Sequence, residues 1–369
     1  CIIVWEGDFM YRYKFNELKK WKNSSNRKPL IIRGARQVGK TWLMQEFGKR
    51  EYEKCAYINF DENTRMIKLF SGDFDIERII QGLKIESGVN IEPENTLIIF
   101  DEVQETPKAL TALKYFYEKA NQYHIVAAGS LLGVAMHEGA SFPVGKVDFL
   151  DLYPLNFLEF LRALGEENIV ELVEKNDIEM IKVFSDKLKN YLKQYLYIGG
   201  MPEVVETYVE TKDFIEVRRK QEVLLESYEQ DFSKHAPNAI VPRIRQLWNN
   251  IPTQLAKKNK KFIYGLIKQG ARAREYEIAL SWLIDCGLVY QVNRVNACKV
   301  PLSAYQDFNA FKLYVLDVGL LCAKANLDAV SIIDGNEILV EFKGALTEQY
   351  VLTELKSNVN SATDFSQSS

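Results

Sequence analysis

The sequence is poor in cysteine and histidine, and it has no long hydrophobic run. Its five cysteines are odd in number, scattered and free of C-x-x-C spacing, which argues against a disulfide framework and against a zinc site. The three histidines are too few and too far apart for a metal cluster, so each is predicted to be structural. These residues are Cys1, Cys55, Cys286, Cys298 and Cys322, and His124, His137 and His235.

No apolar stretch approaches the ~20 residues that a membrane-spanning helix needs, and the first residues lack the basic start of a signal peptide. The sequence therefore predicts a cytoplasmic protein with no membrane partner. With 369 residues, 47% of them hydrophobic, the chain is long enough for two or three domains with sizeable cores.

What the chain does contain is a complete phosphate-loop motif, G-x-x-x-x-G-K-[ST], at residues 34–41. An apolar run at 30–33 precedes the motif, and apolar residues at helical spacing follow it at 42–47, which is the strand, loop and helix context that it requires. Backbone N–H groups of such a loop and the helix N-terminus surround phosphates. A nucleoside triphosphate is therefore the predicted ligand, bound by Gly34, Ala35, Arg36, Gln37, Val38, Gly39, Lys40 and Thr41.

Within the loop, Lys40 is predicted to reach the β- and γ-phosphates, with the Thr41 hydroxyl on Mg²⁺. Hydrolysis also needs an acidic site on a neighbouring strand. The apolar run 97–100 ends in Asp101 and Glu102, which fit a Mg²⁺ ligand and a water-polarising base. The alternative is a strand that ends in a solvated acidic turn, and the presence of the phosphate loop favours the catalytic interpretation.

Another apolar run, at 125–128, leads to Ser130 at a predicted strand end, where open α/β sheets bind ligands. Ser130 is therefore a candidate γ-phosphate sensor, and the alternative is a turn serine. With further strands predicted at 55–60 and 146–152, the pattern indicates an α/β fold with a parallel sheet and helices on both faces. Helical patterns follow from residue 157 to about 197 and, after a Gly-Gly-Met-Pro break, to about 232.

A basic block is the next feature. Between residues 243 and 274 there are nine basic side chains and no acidic one, in a chain of formal net charge −3. Such a block suggests a polyanion partner, and duplex DNA is the candidate. The alternative is a solvated basic face. The residues are Arg243, Arg245, Lys257, Lys258, Lys260, Lys261, Lys268, Arg272 and Arg274.

The apolar pattern from residue 262 predicts two helices joined by a turn, the second over about 274–286, and then a strand at 287–292. Helix, turn, helix and hairpin is the order of a winged helix, whose second helix enters a DNA major groove. That helix carries Glu275, Glu277 and Asp285, which is unfavourable charge for a groove-reading face. A winged-helix-like module for protein contact therefore stays open as an alternative.

Six segments of the sequence resemble those of a group of prokaryotic AAA-type ATPases, which join an AAA+ domain to a C-terminal domain of uncharacterised function. The resemblance covers about residues 10–356 and lies in segments 34–41, 99–104, 128–130, 153–155, 195–202 and 313–320. It implies ATP as the nucleotide, a Walker B strand beside a sensor strand, a winged helix and often a terminal nuclease-like fold. Lys146 stands where a finger arginine is often found, and a lysine offers a point charge in place of a planar fork.

The sequence departs from this group near its end. Glu348 matches the acidic position in the first helix of the PD-(D/E)xK nuclease-like fold, but the later metal-binding strands are absent, so no nuclease activity is expected. A polar tail that follows is predicted to be disordered. Because the chain opens on Cys1 and Met10 precedes a basic stretch, one hypothesis is that residues 1–9 lie outside the native start.

The predicted segments are an N-terminal leader at 1–27, an AAA+ ATPase core at 28–155, a helical lid or linker at 156–235, a winged-helix-like domain at 236–300, the start of a truncated nuclease-like domain at 301–356 and a disordered tail at 357–369.

The first functional hypothesis is a Mg²⁺-dependent ATPase coupled to a module that contacts DNA. The second is a nucleotide-controlled switch with a protein partner and negligible turnover. A degenerate member of a mobile or toxin-associated family is the third, and the oligomeric state is open.

Overall fold

A computed structural model describes residues 10–129, 143–257, 261–335 and 340–358. The chain divides into two compact units, called here the first unit (Arg12–Tyr153) and the second unit (Pro154–Val359). Among the helices of the described residues, none is both long enough and apolar enough to cross a lipid bilayer.

The first unit is built on a five-stranded parallel sheet with the order β2-β3-β4-β1-β5. Its strands are β1 (Leu30–Arg33), β2 (Lys54–Asn59), β3 (Thr96–Asp101), β4 (His124–Ala128) and β5 (Asp148–Asp151). All six residues of β3 and all five of β4 are buried, because helices cover both faces of a parallel sheet. As the resemblance implied, the acidic strand β3 lies directly beside β4, the predicted sensor strand.

The helices described in this unit are α1 (Lys14–Lys22), α2 (Lys40–Glu51), α3 (Thr64–Ser71), α4 (Ile76–Ser87) and α5 (Pro107–Lys119). Alternate strand residues such as Ile98 and Phe100 form one core with α3, α4 and α5. Leu97 points to the opposite face, where Gly48 of α2 lies against it. The predicted α/β class, a parallel sheet with helices on both faces, is confirmed.

The second unit is mostly helical, as predicted. Its helices are α6 (Phe157–Ala163), α7 (Glu167–Glu174), α8 (Ile178–Val183), α9 (Ser185–Ile198), α10 (Pro202–Thr211), α11 (Phe214–His235), α12 (Val241–Ala256), α13 (Ala273–Asp285), α14 (Val318–Lys324) and α15 (Val340–Asn358). The predicted break between residues 199 and 202 separates α9 from α10. The helical pattern from 157 to 197 is divided into four helices, and at two of the three breaks Gly165 and Asn176 adopt positive φ angles of 78° and 53°.

The segment predicted as a winged helix, 236–300, contains α12, a short 3-10 turn (Tyr264–Leu266), α13 and the strand β6 (Val289–Val295). The antiparallel partner of β6 is β7 (Gln306–Val315), which lies in the segment predicted as the start of the nuclease-like domain. The helix expected over 262–267 is reduced to that turn. The reason is that the Phe262 N–H donates to the Phe311 carbonyl of β7 (2.7 Å) and the Ile263 N–H donates to the Gln254 side chain (3.0 Å). With these bonds Ile263 is extended (φ −120°, ψ 107°), so no helix can include Phe262 and Ile263.

A half-buried carboxyl group joins α15 to the start of α6. Oε1 of Glu354 accepts a hydrogen bond from the N–H of Phe157, the first residue of α6 (2.8 Å). Burial raises the pKa of Glu354 to about 7, against the opposing effect of that N–H, and the nearby Glu159 raises it further. Because the ordinary glutamate pKa is 4.5, the folded chain binds a proton here that the unfolded chain has lost between these two pH values. This group therefore makes stability fall as the pH rises from about 4.5 to about 7.

We expect the substitution Glu354→Gln to raise the melting temperature at pH 8, by ~2–4 °C for each kcal/mol recovered. The amide oxygen of glutamine can still accept from Phe157 but carries no charge to desolvate. Thermal unfolding between pH 5 and pH 8 should show the gain at pH 8 shrinking towards pH 5. Glu226→Gln, at an exposed position of α11, is the matched control and should leave the pH profile unchanged. A variant less stable than wild type at pH 8 would show that the ionised carboxylate stabilises this junction.

Candidate nucleotide site

The phosphate-loop residues form a tight turn between β1 and α2. Gly34 has φ 151°, and a Cβ there would lie 2.3 Å from the Leu152 carbonyl oxygen, so no other residue fits. Gly39 has φ 92° and directly precedes α2, and Gln37 adopts a positive φ of 64°. These conformations turn the loop around the N-terminus of α2, where unpaired N–H groups and the helix dipole favour an anion.

Lys40 is held inside this turn. Its ammonium group donates to the carbonyls of Gly34 (3.0 Å) and Ala35 (2.7 Å), and the residue is only 7% exposed. Burial lowers the pKa of Lys40 to about 8, although the negative charges of Glu102 and Asp101 act to raise it. A nearby anion such as a phosphate would stabilise the charged form of this buried ammonium group and raise its pKa again.

The predicted metal ligands meet where the start of α2 approaches the end of β3. The Thr41 hydroxyl, in the first turn of α2, donates to Oδ2 of Asp101 (2.7 Å), the last residue of β3. Asp101 is 4% exposed, and its Oδ1 accepts from the N–H of Glu102 (3.1 Å). Glu102 itself adopts a positive φ of 51°, which turns the chain sharply after the strand, and its Oε2 accepts from the Gln104 side chain (2.6 Å).

This set of donors fits Mg²⁺. The ion prefers oxygen ligands and, in phosphate-binding sites, takes only one or two carboxylates along with substrate phosphates. Thr41 and Asp101 offer one hydroxyl and one carboxylate beside the loop. Within the described residues there is no group of three or more His, Cys, Asp or Glu side chains that could hold a metal without a phosphate.

Two further residues of the site carry no sequence signal of their own. Arg12 is 3% exposed and donates to the Val38 carbonyl of the loop (2.9 Å) and to the Tyr153 carbonyl. Tyr57 of β2 donates its hydroxyl to Oδ2 of Asp101 (2.9 Å). Arg12 lies in the segment predicted as a leader. Tyr57 reaches the site because β2 lies beside β3, a neighbour relation that the sequence does not state.

The other predicted site residues are distributed differently. Arg36 is half-buried in the loop, where its charge lowers the pKa of Lys40. Lys146 forms an ion pair with Glu118 of α5 (3.0 Å) and lies over the Tyr117 ring. Ser130 lies outside the described residues, as do Lys258 and Lys260 of the basic block. The remaining basic side chains of the block are all exposed in the second unit: Arg243, Arg245, Lys257, Lys261, Lys268, Arg272 and Arg274.

Two family models match the chain. Residues 26–161 match the AAA domain family, and residues 189–331 match a domain family of unknown function, DUF8612. Among solved structures, the Walker-type ATPase of Pyrococcus abyssi is 16% identical with a TM-score of 0.51, over 84% of this chain and 95% of its own. That likeness shows the fold. The first unit therefore has the fold and the motifs of an AAA-type P-loop ATPase, a class that binds ATP.

Two other proteins also resemble the chain. An uncharacterised protein of Methanocaldococcus jannaschii is 25% identical over 232 residues, which is 59% of this chain and 46% of that protein, so the chain spans about half the length of this curated relative. The Aeropyrum pernix ORC1 protein, solved in complex with DNA, is 12% identical over 88% of this chain and 95% of its own. Its TM-score of 0.33 is too low to carry an argument about this chain.

The contact between Arg12 and the loop leads to a prediction. Because a peptide group is planar, a guanidinium that fixes the Val38 carbonyl also fixes the N–H of Gly39, which faces the phosphate position in loops of this kind. We expect Arg12→Met to weaken ATP binding by about 10-fold, as the loss of a charge-assisted hydrogen bond would, when measured by calorimetry.

Arg27→Met is the matched control, because Arg27 is in the same unit but donates to the Lys22 and Asn121 carbonyls and not to the loop. An Arg12→Met protein that melts normally and binds ATP as wild type would show that the loop keeps its shape without this anchor.

Proposed function

We propose that the first unit binds ATP together with Mg²⁺ and hydrolyses it. The observation that carries the proposal is the 2.7 Å hydrogen bond from the Thr41 hydroxyl to the Asp101 carboxylate. The two groups belong to separate motifs and are close enough to bind one Mg²⁺ ion, beside the buried ammonium group of Lys40. A phosphate loop without this acidic partner would support binding alone.

Each residue has a role in this mechanism. The loop amides and the N-terminus of α2 hold the phosphates, and Lys40 exchanges the carbonyls of Gly34 and Ala35 for the β- and γ-phosphate oxygens. Thr41 and Asp101 hold Mg²⁺, which when bound supplies positive charge to the phosphate oxygens. Glu102 orients and polarises the attacking water, and Ser130 senses the γ-phosphate.

One contact favours the alternative function, a nucleotide-controlled switch with negligible turnover. The Glu102 carboxylate accepts a hydrogen bond from the Gln104 side chain at 2.6 Å. A carboxylate engaged in this way is a weaker base and is less able to orient water. If the bond persists with ATP bound, the nucleotide would fix a conformation for a protein partner without being consumed.

We further propose that the second unit contacts duplex DNA through the basic block. Its described side chains are exposed, no acidic residue interrupts them between 243 and 274, and they lie on α12, on either side of the 3-10 turn and at the start of α13. A helix, a turn, a second helix and two antiparallel strands succeed one another along the chain, which is the element order of a winged helix. Arg272 and Arg274 flank the N-terminus of α13, the end of a helix that also favours phosphate.

ATP turnover by the purified chain tests the first proposal. We expect Mg²⁺-dependent hydrolysis, with binding lost in Lys40→Ala, and with binding kept but turnover reduced by ~100-fold or more in Glu102→Gln. Lys49→Ala, at an exposed position of the same helix, and Glu105→Gln, an exposed glutamate of the turn after β3, are the matched controls. ATP binding without turnover in the wild-type protein would support the switch instead.

Fluorescence anisotropy with duplex DNA tests the second. We expect the pair Arg272→Ala and Arg274→Ala to weaken binding and to reduce the salt dependence of log Kd by about 0.9 for each phosphate that the variant no longer neutralises. Arg219→Ala with Lys220→Ala on α11 removes the same charge from outside the block and should change neither quantity. Equal weakening in both pairs, or a wild-type protein that does not bind DNA, would contradict the proposed contact through the basic block.

A further inference from the structure

A tyrosine on β2 reaches the acidic end of the neighbouring strand. In the parallel pairing of β2 with β3, Tyr57 is opposite Ile99 and Asn59 is opposite Asp101. Residues two apart in a strand share a face, so Tyr57 and Asp101 lie on the same side of the sheet, one step apart along it. The length of the phenol side chain spans that step, and its hydroxyl donates to Oδ2 of Asp101 at 2.9 Å.

Three donors therefore converge on one buried carboxylate. Oδ2 of Asp101 accepts from the hydroxyls of Thr41 (2.7 Å) and Tyr57 (2.9 Å), and Oδ1 accepts from the N–H of Glu102 (3.1 Å). Asp101 is 4% exposed, and a carboxyl group that is buried to this extent requires hydrogen bonds to its oxygens.

The three donors are not equivalent. Thr41 belongs to the loop and α2, and its hydroxyl oxygen is the one that must face the metal. Glu102 directly follows Asp101, so its N–H moves with the same segment of chain. Tyr57 alone is anchored in a separate strand, by the hydrogen bonds of β2 to β3. Its bond can therefore hold the carboxylate in place while the loop rearranges around phosphates.

We propose that Tyr57 is a positioning residue for the Mg²⁺ site: its hydroxyl holds Asp101 in the orientation that shares the metal with Thr41, and so sets the Mg²⁺ concentration that ATP binding requires. This inference rests on the proposed function of the same site. It assigns a role in metal binding to a residue of β2, which lies outside both the phosphate-loop motif and the acidic motif.

The test is a Mg²⁺ titration of ATP binding to Tyr57→Phe, followed by calorimetry or with a fluorescent ATP analogue. We expect the Mg²⁺ concentration for half-maximal effect to rise on the order of 10-fold, as the loss of one hydrogen bond to a charged group would produce, with ATP affinity in EDTA unchanged. Turnover at saturating Mg²⁺ should recover. Tyr52→Phe is the matched control, since the Tyr52 hydroxyl pairs with His124 at 2.7 Å and not with Asp101.

A double-mutant cycle shows whether Tyr57 acts through Asp101. In an Asp101→Asn background, Tyr57→Phe should cause no further change in the Mg²⁺ requirement. An unchanged Mg²⁺ requirement in Tyr57→Phe, an equal rise in Tyr52→Phe, or full additivity with Asp101→Asn would each overturn this inference alone. Wild-type protein that binds ATP equally with and without Mg²⁺ would overturn the proposed function and this inference with it.

Discussion

The hydrogen bond between Thr41 and Asp101 joins segments 60 residues apart, and it depends on how α2 lies on the sheet. β4 separates β1 from β3, so the loop that leaves β1 must reach across the end of β4 before Thr41, in the first turn of α2, can meet the end of β3. The helix then packs against β2, β3 and β4. Gly48 allows this close packing, because a Cβ there would lie 2.6 Å from Sγ of Cys55. A glycine inside a helix destabilises the fold by roughly 0.5–1 kcal/mol relative to alanine. Here its small size lets α2 pack close to the sheet.

Burial of charge is the second constraint on the site. Lys40 and Asp101 are 7% and 4% exposed, and burying such polar groups is costly unless hydrogen bonds replace those that water would make. The two buried groups have different hydrogen-bond partners. Lys40 donates to carbonyls of its own loop, whereas Asp101 accepts from donors in α2, in β2 and in the turn that follows it. The lysine is therefore free to exchange its partners when an anion arrives. The carboxylate is fixed by the fold.

The same distinction explains how far the sequence could predict the site. The loop, Lys40, Thr41 and the pair Asp101 and Glu102 were predictable because each lies within a short motif whose local conformation the residues determine. Arg12 and Tyr57 were not, since their roles depend on which strands become neighbours and on where a distant segment packs. The sheet order is set by long-range packing, and no periodicity in the sequence encodes it. The predicted fold class needed only the alternation of strands and helices.

In the second unit, the strings that resemble the ATPase group have a structural explanation. Oδ1 of Asp317 accepts from the N–H of Gly200 (2.6 Å), and its Oδ2 accepts from the N–H of Leu320 at the start of α14 (3.0 Å). A Cβ on Gly199 would lie 2.1 Å from that carboxylate, and one on Gly319 would lie 2.2 Å from the Ile198 carbonyl oxygen.

Segments 195–202 and 313–320 thus form one packed junction around a single buried carboxyl group. Burial raises the pKa of Asp317 to about 6 even though several backbone N–H groups oppose the shift. A residue enclosed in this way, 2% exposed, cannot contact a macromolecular partner. The most recognisable sequence of the second unit therefore maintains its fold, and the proposed contact with DNA would use exposed residues such as those of the basic block.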